Sequence, residues 1–129
     1  MSNFYPAPFV LRERKWVTVE HYYQAHKYDE GTPLFELMAS APTARQAKDT
    51  ARRFTPDDWT VEHKVAVMRR AVHTKFKQNR DLQLQLLLTS SARLVEASTK
   101  DSFWGYGSDY QGVNMMGLLL MEIRAVLTK

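Results

Sequence analysis

"DDWTVEHKVAVMRRAVHTKFKQN", residues 57–79, is the stretch on which the fold turns. Val61, Val65, Met68, Val72 and Phe76 recur in it at intervals of four, three, four and four residues, which lays one apolar stripe along a helix. Such a stripe has to be covered, so this helix is expected to lie against the core. Asp57 or Asp58 is the expected N-cap, because a short acidic side chain can accept from the unpaired N–H groups of the first turn.

Toward the N-terminus, residues 33–41 and 43–53 read as two shorter helices, the second opening after Pro42 with Thr43 as its cap. Before them Thr18 caps "VEHYYQAHKY", which Gly31 and Pro33 end. The opening "NFYPAPFVLRERKWVT" holds two prolines and alternating apolar residues, the pattern of irregular chain followed by a short strand or hairpin. Toward the C-terminus, "DLQLQLLL" alternates Leu with Gln as a strand would. The absence of β-branched residues and a cap at Asp81 favour a helix. "RLVEA" at 93–97 is a short strand candidate, and Asn114 is the expected cap of a final helix, "MMGLLLMEIRAVL", apolar enough to be buried on most sides. The sum is an α+β fold: one compact, mainly helical domain over residues 1–129 with a few short strands.

Bulk properties narrow the function classes. The absence of cysteine excludes disulfides and thiolate metal sites. The four histidines, at 21, 26, 63 and 73, fit no metal-binding spacing, so no metal and no cofactor are expected. No apolar run has the length of a membrane span and no signal-peptide pattern opens the chain, so a cytoplasmic protein without membrane partners is expected. A net charge of +4 attracts phosphates without naming a nucleic acid, and "RERK" at 12–15 and "MRRAVHTKFK" at 68–77 carry much of it.

Two segments hold the residues capable of chemistry. On the Thr18 helix, Glu20, Gln24 and Lys27 stand at i, i+4 and i+7 and share a face, with His21, Ala25 and Tyr28 beside them. A carboxylate, an amide and an amine in one stripe form either a solvated ion-paired face or one wall of a polar pocket. Glu20 in the first turn is favoured as the ionised form; a desolvated Lys27 loses basicity and becomes a nucleophile toward carbonyl or imine carbon. The other segment is "DSFWGYGSDYQGVNMMG" at 101–117, which holds four of the chain's five glycines. Asp101 can bond the backbone of its own turn. Gly105 and Gly107 allow close approach of backbone to a ligand, and Trp104 with Tyr106 can stack on a flat ring. The helix start after Asn114 offers N–H groups to a phosphate. The stretch is neither a P-loop nor a dinucleotide fingerprint.

Taken in order, "SNFYPAPF", "WVTVEHYYQAHKY", "MRRAVHTKF", "LLLTSSARLVEAS", "DSFWGYG" and "GVNMMGLLLMEIR" resemble the NADAR (YbiA-like) superfamily across much of the chain. Many members carry a strand and a loop before the "SNF" segment. The resemblance implies a YbiA-like α+β domain with N-glycosidic activity at a bond between ribose C1 and an exocyclic amine. The substrate it implies is a ribosylamino-pyrimidine phosphate of riboflavin biosynthesis, or ADP-ribose on guanine in DNA or RNA. It makes Glu20 and Asp101 the acidic catalytic residues and Lys27 the covalent one, through a Schiff base; direct attack by water is the alternative. Asn3, Phe4, Trp16, His21, Gln24, Trp104, Gly105 and Asn114 would line the pocket; Arg69 or Arg70 and Lys75 could meet phosphate, but their faces on the long helix differ, so not all of them can. The competing class is a module that binds ADP-ribose or a nucleotide phosphate without turnover. The enzyme reading expects Glu20 and Asp101 to face one cleft.

Overall fold

A computed structural model describes residues 7–95, 101, 103–105, 107 and 112–128. The chain's contacts fall into two compact units, Met1–Asn79 and Arg80–Lys129.

The first unit opens with an antiparallel hairpin, β1 (Phe9–Leu11) and β2 (Arg14–Trp16), in the register Phe9↔Trp16, Val10↔Lys15, Leu11↔Arg14. Its two-residue turn puts Arg12 at φ 55° and Glu13 at φ 65°, the left-handed pair that a tight hairpin needs and that Asn-Gly ordinarily supplies. The outer edge of β1 is closed by a side chain. Val10 N–H donates to Gln78 Oε1 (2.7 Å) and Gln78 Nε2 donates back to the Val10 carbonyl (2.6 Å), so an amide stands in for a missing strand.

Three threonines then start helices as capping chemistry predicts. Thr18 caps α1 (Val19–Ala25), Thr32 caps α2 (Pro33–Ala39) and Thr43 caps α3 (Ala44–Ala51), each hydroxyl accepting from the backbone N–H three residues on. A short 3-10 helix, Arg52–Phe54, follows α3. The long helix α4 (Val61–Gln78) departs from expectation at its start: Thr60 caps it, not Asp57 or Asp58. Trp59 causes the delay. Its ring packs on Tyr23 (5.3 Å) and His63 (4.8 Å), and the chain turns helical only once that ring is docked. The buried stripe is displaced as well, to Val67, Met68, Ala71, Val72, Lys75 and Phe76, while Val61 is half exposed. Alanine and lysine stems fill positions that a count of large apolar residues passes over. Around α1 these elements close the core of the unit, since α1 packs on α2, α3 and α4 and every one of its seven residues is buried.

The second unit pairs α5 (Arg80–Leu87) with α6 (Met115–Leu127). The helix reading of the Leu-Gln alternation holds, but Asp81 is not its cap: α5 already begins at Arg80, and Asp81 lies in its first turn. Arg93–Val95 forms no strand, and 96–97 lie outside the described residues. On α6 one face is buried, Met116, Gly117, Leu119, Ile123 and Arg124, while Leu118 and Val126 are exposed; the apolar run is therefore not covered on most sides. Arg124 is buried and donates from Nη1 to Thr89 Oγ1 at 2.7 Å.

Candidate active site

Glu20, Gln24 and Lys27 come together as their helical spacing requires. Gln24 Nε2 donates to Glu20 Oε1 at 2.6 Å, a charge-assisted bond between two buried side chains. That bond fixes the amide: its nitrogen must face the carboxylate, so its oxygen faces away. Gln24 Oε1 is buried and has no hydrogen-bond partner among the described residues, an uncommon and costly state for an acceptor. Lys27 sits one turn further on, its Nζ 5.8 Å from the Tyr23 ring centroid and 5.9 Å from that of Trp59. Burial holds its amine below the ordinary lysine value. The Glu20 carboxylate opposes that lowering, and Lys48, Lys64 and Arg52 reinforce it.

His21 is buried in the same helix but is spent on structure. Its Nε2–H donates to the Ala41 carbonyl (2.9 Å), and its Nδ1 pairs with the Thr18 hydroxyl (2.8 Å). The ring therefore bolts the start of α1 to the chain that follows α2. Trp16 lies on the opposite side of α1, edge-on to Tyr22 (5.0 Å) and Phe35 (5.9 Å), with its Nε1 buried and unpartnered among the described residues. Tyr22 stands about 200° around the helix from Glu20, at about 100° per residue. On that side a cleft of about 270 Å³ is bounded by the hairpin, Tyr22, His26 and Phe35, and framed by a bidentate Arg14–Glu36 pair at 2.9–3.0 Å.

The three phosphate candidates of α4 do not gather, as their different faces on the helix require. Arg69 is exposed on α4; Arg70 donates from Nε to the Tyr22 hydroxyl (3.3 Å), on the far side of α1 from Glu20; Lys75 is buried in the core with its amine pushed down to about 8 by desolvation. The rings beside the Lys27 amine are those of Tyr23 and Trp59, and the charges of Lys48, Lys64 and Arg52 act on it; sequence reasoning missed all five. Part of the signal was present: Lys48 and Arg52 are spaced one helical turn apart, behind the buried Ala47 and Ala51.

In the second unit Asp101 caps its own loop. Its Oδ1 accepts from the backbone N–H of Phe103 (2.9 Å) and Trp104 (2.8 Å), and its carbonyl accepts from Gly105 (3.2 Å). The loop in turn closes the start of α6: Met115 and Met116 N–H donate to the carbonyls of Phe103 and Trp104 at 2.9 and 3.0 Å. Those N–H groups are thereby consumed, and the expectation that they offer a phosphate seat is overturned. Asn114, at φ 55°, takes the N-cap position but its side chain makes no cap bond. Its Nδ2 reaches the Leu94 carbonyl instead (3.0 Å). Gly117 permits this crossing, since a Cβ there would fall on the Leu94 carbonyl oxygen and on the Asn114 amide. Trp104 is half-buried against Phe103 (4.8 Å, edge to face) and Gly105 is buried. Asn3, Phe4 and Tyr106 lie outside the described residues. Among the described residues no group of three His, Asp or Glu residues is placed to hold a metal ion, and no helix is long and apolar enough to cross a membrane.

A family model described as the NADAR domain matches residues 1–128. The chain is 41% identical over 130 residues to "Riboflavin biosynthesis protein VVA0006" of Vibrio vulnificus, covering 98% of this chain and 35% of that protein. It is 38% identical to "N-glycosidase Npun_R5314" of Nostoc punctiforme (95% of this chain, 81% of that one). Identity to "N-glycosidase YbiA" of Escherichia coli is 36% (98% and 79%). The chain thus spans about a third of the Vibrio protein and about four fifths of the two N-glycosidases. The NMR structure of E. coli YbiA superposes with a TM-score of 0.87 at 37% identity, over 98% of this chain and 76% of that one; the α+β, mainly helical reading of the sequence is borne out.

Proposed function

The chain belongs to the NADAR family, and on that footing we propose that it hydrolyses the bond between ribose C1 and an exocyclic amine, with a phosphorylated ribosylamine as substrate. The observation that carries the reading is the α1 face: an acceptor on Gln24 left unpaired in the interior, the Glu20 carboxylate that orients it, and a lysine amine whose basicity is reduced by burial. An unpaired buried acceptor is the counterpart of a sugar hydroxyl. A desolvated lysine beside other cations is the usual form of an amine nucleophile.

In the reaction we infer, Glu20 stabilises the positive charge that develops at C1 as the ribose ring opens, its ring oxygen taking up a proton. The opened sugar is an iminium at C1. The neutral Lys27 amine adds to that carbon, the C1–N bond to the exocyclic nitrogen breaks, and that nitrogen leaves as the free amine after receiving a proton. The sugar is then held as a Lys27 Schiff base. Water adds to C1, the bond to Nζ breaks, and the net change is one water consumed for one amine and one sugar released.

Of the two substrates that the family resemblance implies, the name of the Vibrio relative, a riboflavin biosynthesis protein, supports the riboflavin-type ribosylamino-pyrimidine phosphate. The test incubates purified protein with that metabolite and with an oligonucleotide carrying ADP-ribosylated guanine, and identifies products by mass. Glu20→Gln is expected to lower turnover by about 10²–10⁴ with ligand affinity retained, and borohydride is expected to trap sugar on Lys27. An active preparation in which Lys27 is never labelled overturns the covalent route in favour of direct attack by water. A protein that binds both ligands and cleaves neither is a binding module.

A further inference from the structure

We propose that Trp59 is the platform for the leaving base: its indole stacks on the heteroaromatic ring whose exocyclic nitrogen is cleaved from ribose C1, and so selects aromatic over aliphatic leaving amines. The proposal rests on the glycosidase reading for the identity of the substrate, and on the geometry of the first unit for the platform.

Reach decides which side chains can touch the base. Attack on C1 brings that carbon to about 3–3.5 Å from Lys27 Nζ. Two C–N bonds of about 1.4 Å each join C1 to the base, so the base ring begins within about 6 Å of the amine. The rings of Tyr23 and Trp59 stand at that range, their centroids 5.8 and 5.9 Å from Nζ. Tyr23 is 7% exposed, spent in the core and set edge-on to Trp59 at 5.3 Å. Trp59 is half-buried and keeps ring surface for a ligand, at a separation from the base that offset stacking accepts.

The platform is fixed before any ligand arrives. Trp59 N–H donates to the Pro56 carbonyl (3.3 Å) and Thr60 N–H to the Asp58 carbonyl (2.9 Å), while the Thr60 hydroxyl accepts from His63 N–H (3.1 Å). A turn thus holds the backbone on one side of the indole and a capped helix holds it on the other. The ring itself is contacted by Tyr23 of α1 and by His63 of α4 (4.8 Å). A ring ordered in advance loses little freedom on stacking. The aromatic cluster on the opposite side of α1 has no such surface to give: the Arg14 guanidinium already lies over it, 5.2 Å from the Trp16 centroid and 5.6 Å from that of Phe35, and is paired with Glu36. Stacking also tolerates any flat base, so the same indole serves an aminopyrimidine or a guanine as leaving group.

Trp59→Leu and Trp59→Phe are compared with wild type on two phosphorylated ribosylamines, one with an aminopyrimidine as leaving amine and one with an alkylamine. Trp59→Leu is expected to lower kcat/KM for the aminopyrimidine substrate by about tenfold to a hundredfold, chiefly through KM, with the alkylamine substrate unchanged; Trp59→Phe is expected to recover most of the loss. Equal losses on both substrates mean that the ring only holds Lys27, and no loss on either means that it touches nothing in the reaction; each result overturns the platform. Calorimetry with free 5,6-diaminouracil, an aminopyrimidine without sugar, separates this proposal from the glycosidase reading. Failure of wild type to bind it overturns the platform, as does equal binding by wild type and Trp59→Leu. If it binds, weakens in Trp59→Leu and recovers in Trp59→Phe while no ribosylamine is cleaved, the glycosidase falls and the platform stands. If wild type and Trp59→Leu cleave the aminopyrimidine substrate with equal kcat/KM, the platform falls and the glycosidase stands.

Discussion

Lys75→Met gives the sharpest physical test of the first unit. The Lys75 side chain is 2% exposed in the core face of α4, and desolvation takes its amine from the ordinary 10.5 to about 8. At 1.36 kcal/mol per pH unit, that lowering corresponds to ~3 kcal/mol of penalty on the charged form. The Phe76 ring, 5.7 Å from Nζ, returns ~0.5–2 kcal/mol to that form, so ~1–3 kcal/mol of the stability difference between Lys75→Met and wild type is expected to depend on pH, favouring the variant most at pH 7. The pH dependence follows from linkage. Because the folded value is the lower one, the unfolded chain binds the extra proton between about pH 8 and 10.5, and stability contributed by this group rises with pH through that window. The penalty is complete below the folded value and absent above the unfolded one. Urea unfolding of wild type and variant from pH 7 to pH 10, with slopes compared, isolates the effect from other groups titrating in the same range. The two stability curves should converge as pH rises. A difference that stays flat, or a variant less stable than wild type at pH 7 with an unchanged slope, refutes the claim that burial governs this amine. Turnover of the same variant is informative: a gain in stability with a loss of activity marks Lys75 as kept for function.

Three further outcomes are expected. Gly117→Ala should lose ~1–3 kcal/mol by overpacking, since its Cβ meets backbone oxygen and a fixed amide; Gly31→Ala, at φ +81° with open space around it, should lose only the ~1–2 kcal/mol of a left-handed alanine, and urea midpoints rank the two. Asp101→Asn keeps an oxygen able to accept from Phe103 and Trp104, whereas Asp101→Ala removes it; if only the alanine variant loses activity, Asp101 acts by holding its loop, and if both lose it while near-ultraviolet circular dichroism of the asparagine variant is unchanged, its charge takes part in the reaction. Removing cations raises the Lys27 amine toward its ordinary value, so the acid limb of the kcat profile should move to higher pH in Lys48→Gln/Lys64→Gln; a limb that stays in place argues that Lys27 is not the group being deprotonated.

Elements announced by local chemistry were legible in the sequence. Thr18 and Thr43 could be read as caps because a hydroxyl ahead of a periodic run has one strong use, and the Glu20, Gln24, Lys27 stripe could be read because helical spacing alone puts it on one face. What could not be read depended on partners distant in sequence. The start of α4 waits for Trp59 to find Tyr23, 36 positions earlier, so an acidic pair that looked like a cap is left in the preceding turn. Lys75 looked like a phosphate ligand because it is charged, and its burial is decided by the packing of α4 on β1 and α1. Asn114 looked like a cap because of its type. Its left-handed backbone and the passing Leu94 carbonyl redirect its amide, and nothing near it in sequence signals that.

The first helix shows why its polar face calls for a ligand and not for a structural explanation. With seven residues α1 is too short to be stable alone, and what holds it is apolar burial of Val19, Tyr22 and Ala25 together with the Thr18 cap and the His21 clamp on Ala41. Those contacts would serve a helix whose remaining positions were alanine equally well. Glu20 and Gln24 instead bury a carboxylate and an amide that share a bond and leave the Gln24 oxygen without a hydrogen-bond partner among the described residues, which lowers stability relative to an apolar group of the same size. A cost borne on one face, next to a half-buried amine whose basicity burial reduces, is rational where a polar molecule completes the set. In the reaction proposed above, the sugar hydroxyl and the electron-poor C1 of a ribosylamine would supply that donor and an electrophile for Lys27 together.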